Sequence, residues 1–288
     1  MTGNTYAYDL AVVYRVYPKV STPAIGLPFG GDKLHLTEMC LRSFRQSLGD
    51  LKVKVWVLLD GCPEEYAELF RRSFASRDLV LLPLPGIGNH ATFKMQIKIL
   101  LEQEDSEFVY FAEDDYFYLP DQFRLVLNFL KSHKDVDFVT PYDHLDCYTL
   151  PLHHQPKWMR VFDHHHWRTA ASTCLTFLTR RRTLRATERV FSTYAEGNLD
   201  ASLWLSLTKI GLFRPIDFIR FKATSWLLAE IVSRAWSFGW LQILFRRRYT
   251  LWVPVPGIAT HMDIKALSPG FDWPAMMNHQ RLSNVEIV

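Results

Sequence analysis

Glu113, Asp114 and Asp115 stand in an unbroken row directly after the apolar run Phe108, Val109, Tyr110, Phe111, Ala112. That run, aromatic and β-branched, reads as a strand buried on both faces. Three carboxylates at the carboxyl end of such a strand cannot be desolvated unpaired without a large penalty, so they face water in a crevice or a cation. Oxygen ligands favour a hard divalent ion, Mg2+ or Mn2+. The plainer alternative, a solvated strand-to-loop cap, fits poorly with so apolar a flank.

Further polar residues fall where similar elements end. Arg15 lies near the end of an apolar run over residues 10–16, and Asp60 closes another over residues 53–59. A lone Asp after a strand is usually a turn residue, but two such positions together with the triplet converge beyond the carboxyl ends of strands. Asp200 stands where an apolar helix begins and could be its cap or a general base. Residues 150–168 carry prolines and five histidines, His153, His154, His164, His165 and His166, and read as a long irregular loop facing an acceptor. Consecutive histidines rarely point at one ion, so a zinc site there is the weaker expectation.

The elements needed to hold these residues alternate. A strand over residues 10–16 leads through a Pro/Gly-rich loop, residues 18–31, to a helix capped by Thr37 and closed by Gly49. Strands over 53–59 and 79–82 flank a helix over 64–74. A turn at Gly86 to Asn89 precedes a helix bearing Phe93, Ile97, Leu100 and Leu101, and the acid-bearing strand follows. This β-α-β-α-β-α-β series predicts a parallel sheet with right-handed crossovers and helices on both faces. Pro120 opens a further helix, residues 137–140 form a fifth strand, and residues 171–178 form another.

With 288 residues the chain can bury a substantial core as a single domain. Its 48% hydrophobic and 22% charged content excludes wholesale disorder. A formal charge of +3, with only local basic clusters at residues 180–182 and 246–248, is too small to imply a nucleic-acid binder by itself, and none is expected. Cys40, Cys62, Cys147 and Cys174 have no paired spacing, which fits a reducing, cytoplasmic setting. The first residues show no charged leader or apolar core, so secretion is not expected. The run from Trp226 to Phe245 is interrupted by Glu230 and Arg234, which argues against a spanning helix. Its tryptophans, followed by Arg246 to Arg248 and Trp252, fit either a peripheral contact with the inner face of a membrane or a buried helix with a solvated basic end.

Arg15, Asp60, Gly88-Asn89 through Gln96, the acidic triplet, Trp167-Arg168-Thr169, Ser172-Thr173, Asp200 and Thr260-His261 together resemble a GT-A glycosyltransferase, most closely the bacterial family-2-like enzymes that use nucleotide sugars. The resemblance spans roughly residues 8 to 270. It implies an α/β, Rossmann-like, mixed and mainly parallel sheet with a C-terminal helical and aromatic extension. The expected parts are a nucleotide-sugar-binding half over 1–140, an acceptor-side half over 141–225 and the extension over 226–288. It implies a metal-dependent, inverting transfer from a nucleotide-sugar donor to a glycan or lipid-linked glycan in surface polysaccharide synthesis. Asp115 and His261 would then ligate Mn2+ or Mg2+. Arg15, Asp60, Asn89, Gln96, Glu113 and Asp114 would contact the donor, and Asp200 would be the base. The family usually has Glu-Asp where this chain has Asn198-Leu199-Asp200. A degenerate, glycan-binding protein is the alternative from another class. A sugar nucleotidyltransferase fits less well, because it usually carries a Gly-rich, basic loop after the first strand, whereas only Lys33 lies near Gly26, Gly30 and Gly31.

Overall fold

The computed structural model describes residues 6–19, 32–213 and 225–282. Most of the Pro/Gly-rich loop expected over 18–31 lies outside them. β1 (Leu10–Val16), β2 (Val53–Asp60), β3 (Leu79–Leu84) and β4 (Phe108–Glu113) pair in parallel in the order β3-β2-β1-β4. The three helices between them are α1 (Lys33–Leu48), α2 (Glu64–Ser73) and α3 (Asn89–Glu102). The expected mixed, mainly parallel α/β sheet is therefore observed. Side chains alternate along each strand, which divides the core in two. Val12, Tyr14 and Tyr110 pack with Phe44 and Phe70 under α1 and α2, while Val13, Val109 and Phe111 pack with Phe93 and Ile97 of α3.

Beyond β4 the sheet becomes mixed. A short β5 (Tyr116–Tyr118) leads to α4 (Phe123–Ser132), β6 (Phe138–Val139) and a single helical turn, α5 (Asp146–Thr149). A hairpin of β7 (Met159–Phe162) and β8 (His165–Thr169) precedes β9 (Phe177–Arg180), α6 (Arg181–Ser192) and α7 (Asp200–Thr208). α8 (Trp226–Phe245), β10 (Leu251–Val255), β11 (Ala259–His261) and α9 (Trp273–Leu282) complete the chain. The nine-stranded order is β3-β2-β1-β4-β9-β6-β10-β8-β7, and β5 pairs with β11 in a separate two-stranded sheet. The C-terminal stretch thus supplies a strand of the main sheet as well as the helical and aromatic α8.

Four expectations about elements are corrected. α1 begins at Lys33, because Asp32 caps it by accepting from the His35 amide at 2.8 Å; Thr37 lies inside the helix and is buried. The helix after Pro120 starts at Phe123. The expected strand over 171–178 forms only at Phe177–Arg180, where it pairs with β4 and β6. The stretch over 150–168 is not irregular throughout: Trp167 of β8 stacks on Phe129 at 3.8 Å, and this contact holds the hairpin to the core. His164 sits in the tight turn at φ 61. His153 is buried, its Nδ1 at 3.7 Å from Cys147 Sγ.

α7 and α8 run alongside each other in the same direction. Ser202 Oγ donates to Ile231 O at 2.8 Å and Ser206 Oγ to Ala235 O at 3.2 Å. Gly239 permits the approach, since a Cβ there would lie 2.2 Å from Ser206 Oγ.

Burial pushes the His153 pKa down to about 3. Between that value and about 6.5 the unfolded chain binds a proton at this residue that the folded chain refuses, so stability falls with acidification through that window. Melting temperatures measured from pH 7.5 to 4.5 should drop less steeply in His153→Gln than in the parent; parallel profiles would remove His153 as a source of the acid sensitivity.

Candidate functional site

The carboxyl ends of β1, β2 and β4 enclose a cavity of about 430 Å³ lined by Arg15, Asp60, Asn89 and the three acids, with Gly86 and Gly88 at its wall. Each acid is handled differently. Glu113, the last residue of β4, pairs with the Arg15 guanidinium from the neighbouring strand and accepts from Thr176 Oγ1 at 2.7 Å. Asp114 turns toward α1, where Lys33 Nζ approaches to 2.9 Å; it also accepts from the Tyr17 amide at 3.1 Å and lies 3.4 Å from Thr37 Oγ1. Asp115 Oδ2 lies 3.2 Å from His261 Nε2, while its Oδ1 is buried with no hydrogen-bond partner.

The small β5/β11 sheet produces that last arrangement. His261 is opposite Tyr116 in the antiparallel register, and the Met262 amide donates to Asp115 O at 2.8 Å. The ring of His261 also meets Tyr116 edge-on at 5.2 Å.

Burial favours the neutral carboxyl at Asp115, but the charge and hydrogen bond of His261, with Lys33 and Arg15 beyond, outweigh it and hold the group down at about 2. Burial disfavours the charged imidazole of His261, yet Asp115 raises its pKa above the ordinary value. Burial likewise works against the Lys33 ammonium, which Asp114 and Asp115 nevertheless hold firmly charged. Asp114 is shifted upward by burial, with Lys33 opposing.

The second wall is a loop built on Asp60. Its Oδ1 accepts from the Ile87 amide at 2.6 Å and its Oδ2 from the Gly88 amide at 2.8 Å. Gly88, at φ 85, can take this backbone conformation because it lacks a Cβ. The loop delivers Asn89, whose backbone oxygen accepts from Arg15 Nη1 at 3.1 Å and whose side-chain oxygen accepts from the same guanidinium. Asn89 Nδ2 donates to Tyr194 OH at 2.9 Å. Arg15 also lies 5.5 Å over the Phe93 ring, and its Nε has no partner.

Six of the nine residues singled out by sequence, Arg15, Asp60, Asn89, Glu113, Asp114 and Asp115, line this crevice, and His261 meets it through Asp115; Gln96 and Asp200 do not line it. Gln96 is fully buried, and its Nε2 donates to Val13 O at 2.8 Å and to Ala112 O at 3.3 Å, so it ties β1 to β4 behind the cavity. Asp200 stands outside the cavity lining at the first residue of α7, its Oδ1 accepting from the Ala201 amide at 2.6 Å. Burial raises its pKa and the charge of Glu113 adds to the shift. Arg168 is spent on a buried pair with Asp143. Sequence reasoning missed Lys33 as a partner of the acids, and it missed Tyr194 altogether. The signal for the first was available: Lys33 and Thr37 are four apart, on one helix face.

No protein-family model and no curated protein sequence matches the chain. Solved structures similar to it include a mannosyltransferase from Pyrobaculum calidifontis in complex with GDP-Man and Mn2+, with 16% identity, TM-score 0.41, and 72% of this chain and 53% of that chain covered. Another is glucosyl-3-phosphoglycerate synthase from Mycobacterium tuberculosis with Mn2+, UDP and glucosyl-3-phosphoglycerate, at 11% identity, TM-score 0.43, and coverage of 81% and 80%. A cytidylyltransferase from Leptospira borgpetersenii is similar at 10% identity, TM-score 0.38, and coverage of 63% and 64%. The chain therefore spans about half the length of the mannosyltransferase it matches.

The Lys33–Asp114 pair is buried on both sides, with side chains 10% and 9% exposed. Removing one partner of such a pair costs about 3–5 kcal/mol because the other charge is stranded. Lys33→Met should therefore lower stability in denaturant titrations by roughly that amount. Adding Asp114→Asn should recover a large part of the loss; additive losses would show that the two side chains do not act as a pair.

Proposed function

We propose that this protein is a metal-dependent, inverting glycosyltransferase. It would act in the cytoplasm, moving a sugar from a nucleotide-sugar donor to a hydroxyl of a glycan or lipid-linked glycan in surface polysaccharide synthesis. The observation that carries the reading is the unpartnered, buried Asp115 Oδ1 beside His261 Nε2, in a cavity that also holds Arg15, Asp60 and Asn89.

One carboxylate oxygen and one imidazole nitrogen form a donor set suited to Mn2+, and to Mg2+ with more water or phosphate oxygens in its shell. Asp115 and His261 would hold the ion, with donor oxygens completing its coordination. Bound there, it would neutralise charge developing on the departing diphosphate. Among the described residues no group of three or more His, Cys, Asp and Glu side chains is set to hold a metal without such a ligand.

The chain's own residues supply the rest. Asp60 fixes the loop that shapes the nucleoside end of the cavity and keeps lone pairs for the base or ribose. Arg15, held by Glu113 and Asn89, presents a fixed positive charge to the donor with its Nε still free to donate. Asp114, at the cavity wall, also braces α1 against the triplet through Lys33. Asp200 is the base: it takes the acceptor hydroxyl proton as that oxygen bonds to the anomeric carbon, while the bond from that carbon to the diphosphate oxygen breaks on the opposite face and the nucleoside diphosphate leaves. Inversion follows from that single displacement. A carboxylate whose proton affinity is raised by burial is better matched to the task than one held near 2.

A screen of nucleoside diphosphates and nucleotide sugars with and without Mn2+ should raise the melting temperature for one base, and Asp115→Ala should lose the metal-dependent part. If no nucleotide gives a shift, the site is not a donor site and the glycan-binding alternative takes its place. Asp200→Asn should keep the nucleotide shift while transfer falls about 10²- to 10⁴-fold, the range for a lost general base; full activity would move the base elsewhere.

A further inference from the structure

α8 carries large apolar side chains on its outer face. Trp226 and Leu227 at its start, and Trp240, Leu244 and Phe245 at its end, are all about half exposed or more, with Trp226 at 75% and Phe245 at 72%. Single exposed hydrophobes are ordinary, whereas a contiguous set is not. At the carboxyl end of α8 the set is contiguous. Phe245 meets Trp240 at 6.3 Å, and Trp236, one turn earlier, meets Phe213 at 6.0 Å. Phe213 in turn walls a cavity of about 280 Å³ together with Trp158, Thr169, Lys209 and Arg248. Arg248 lies 5.4 Å over the Trp158 ring.

Charge distinguishes this patch from a simple sticky face. Among the described residues, no acidic one lines the cavity. Lys209, Arg246 and Arg248 form no ion pair among the described residues, whereas the adjacent Arg247 is committed to Asp137. A second copy of the chain docking here on a two-fold axis would bring these cations against themselves. A spanning arrangement is excluded for α8, since no helix among the described residues is long and apolar enough to cross a membrane. A negatively charged bilayer surface offers both what the aromatic side chains need and what the cations need.

We infer that the carboxyl end of α8, with Trp158, Phe213, Lys209 and Arg248, is a docking surface for an anionic phospholipid bilayer, with Trp240, Leu244 and Phe245 at the interface and a lipid phosphate against Lys209 and Arg248. This inference is independent of the donor cavity. α7 and α8 run in the same direction, so the Trp226 end of the docking helix lies beside the Asp200 end of α7.

Sedimentation with phosphatidylglycerol vesicles and with phosphatidylcholine vesicles in 0.1 M salt tests it. The protein should partition onto the anionic vesicles, with a blue shift of tryptophan fluorescence, and much less onto the neutral ones. Arg246→Glu with Arg248→Glu should weaken partitioning by roughly 25-fold or more, on a scale of about fivefold per cation at the surface. Trp240→Ser with Phe245→Ser should also weaken partitioning and remove most of the blue shift. Both double variants should keep the parent's melting temperature and its metal-dependent response to nucleotide, which separates loss of docking from loss of the donor site. Absence of the parent from the anionic pellet, or equal binding to both vesicle types, overturns the inference. A concentration-dependent dimer abolished by Trp240→Ser with Phe245→Ser would give the face to a second copy instead.

Discussion

Three consecutive carboxylates at the end of one strand repel each other by about 4 kcal/mol per pair at 4 Å and an effective dielectric constant near 20. The structure around them answers that repulsion. Each acid receives its own basic partner, and each partner comes from a different element: Arg15 from β1, Lys33 from the first turn of α1, the His261 imidazole from β11. Residues more than 140 positions apart must therefore meet at one strand end before the triplet is tolerable, as the Asp115 and His261 pair shows. The crevice is in that sense a consequence of electrostatics as much as of packing.

The parallel half of the fold was legible because its strands are buried on both faces and its helices repeat with a clear period. The run over 10–16 becomes β1 with the bounds expected, and the run over 53–59 extends only to Asp60. Legibility fails where an element is short or defined by its partner. β5 has three residues, and nothing in Tyr-Phe-Tyr announces that it will pair with residues 259–261 rather than continue β4. The β7/β8 hairpin was hidden by histidines and prolines that composition assigns to a loop; what makes it a hairpin is the long-range stacking of Trp167 on Phe129. Thr37 looked like a cap because it precedes an apolar periodicity, but Asp32 caps the helix one turn earlier, leaving Thr37 buried beside Asp114.

The site shows the same division. Residue types at strand ends located the cavity, since acids and arginines interrupting apolar runs have few reasons to be there. Which of those residues face the cavity depends on pairing that spacing does not reveal. Gln96 illustrates this: it sits on the helix that follows the Asp60-anchored loop, yet its amide is consumed by the backbones of β1 and β4. Asp114 is adjacent in sequence to Asp115, yet it points to α1 and Asp115 to β11, because successive residues turn to different sides of the chain.

The proposed division of roles rests on a comparison of Asp115 with Asp200. Both are carboxylates taken largely out of water, and burial alone would raise both. At Asp115 the positive neighbours overcome burial and the group stays ionised, with one oxygen still unsatisfied. At Asp200 the charged neighbour is another acid, Glu113, and the proton affinity rises. An environment that drives two carboxyls in opposite directions suits one to stay an anion and the other to accept a proton. The permanent anion suits a cation bound against a diphosphate, and the proton acceptor suits a hydroxyl that must become a nucleophile. Exchanging the two roles would require a cation beside Asp200 and the removal of three from around Asp115. The surrounding elements, and not the two aspartates themselves, therefore fix the direction in which the proposed reaction would run across the site.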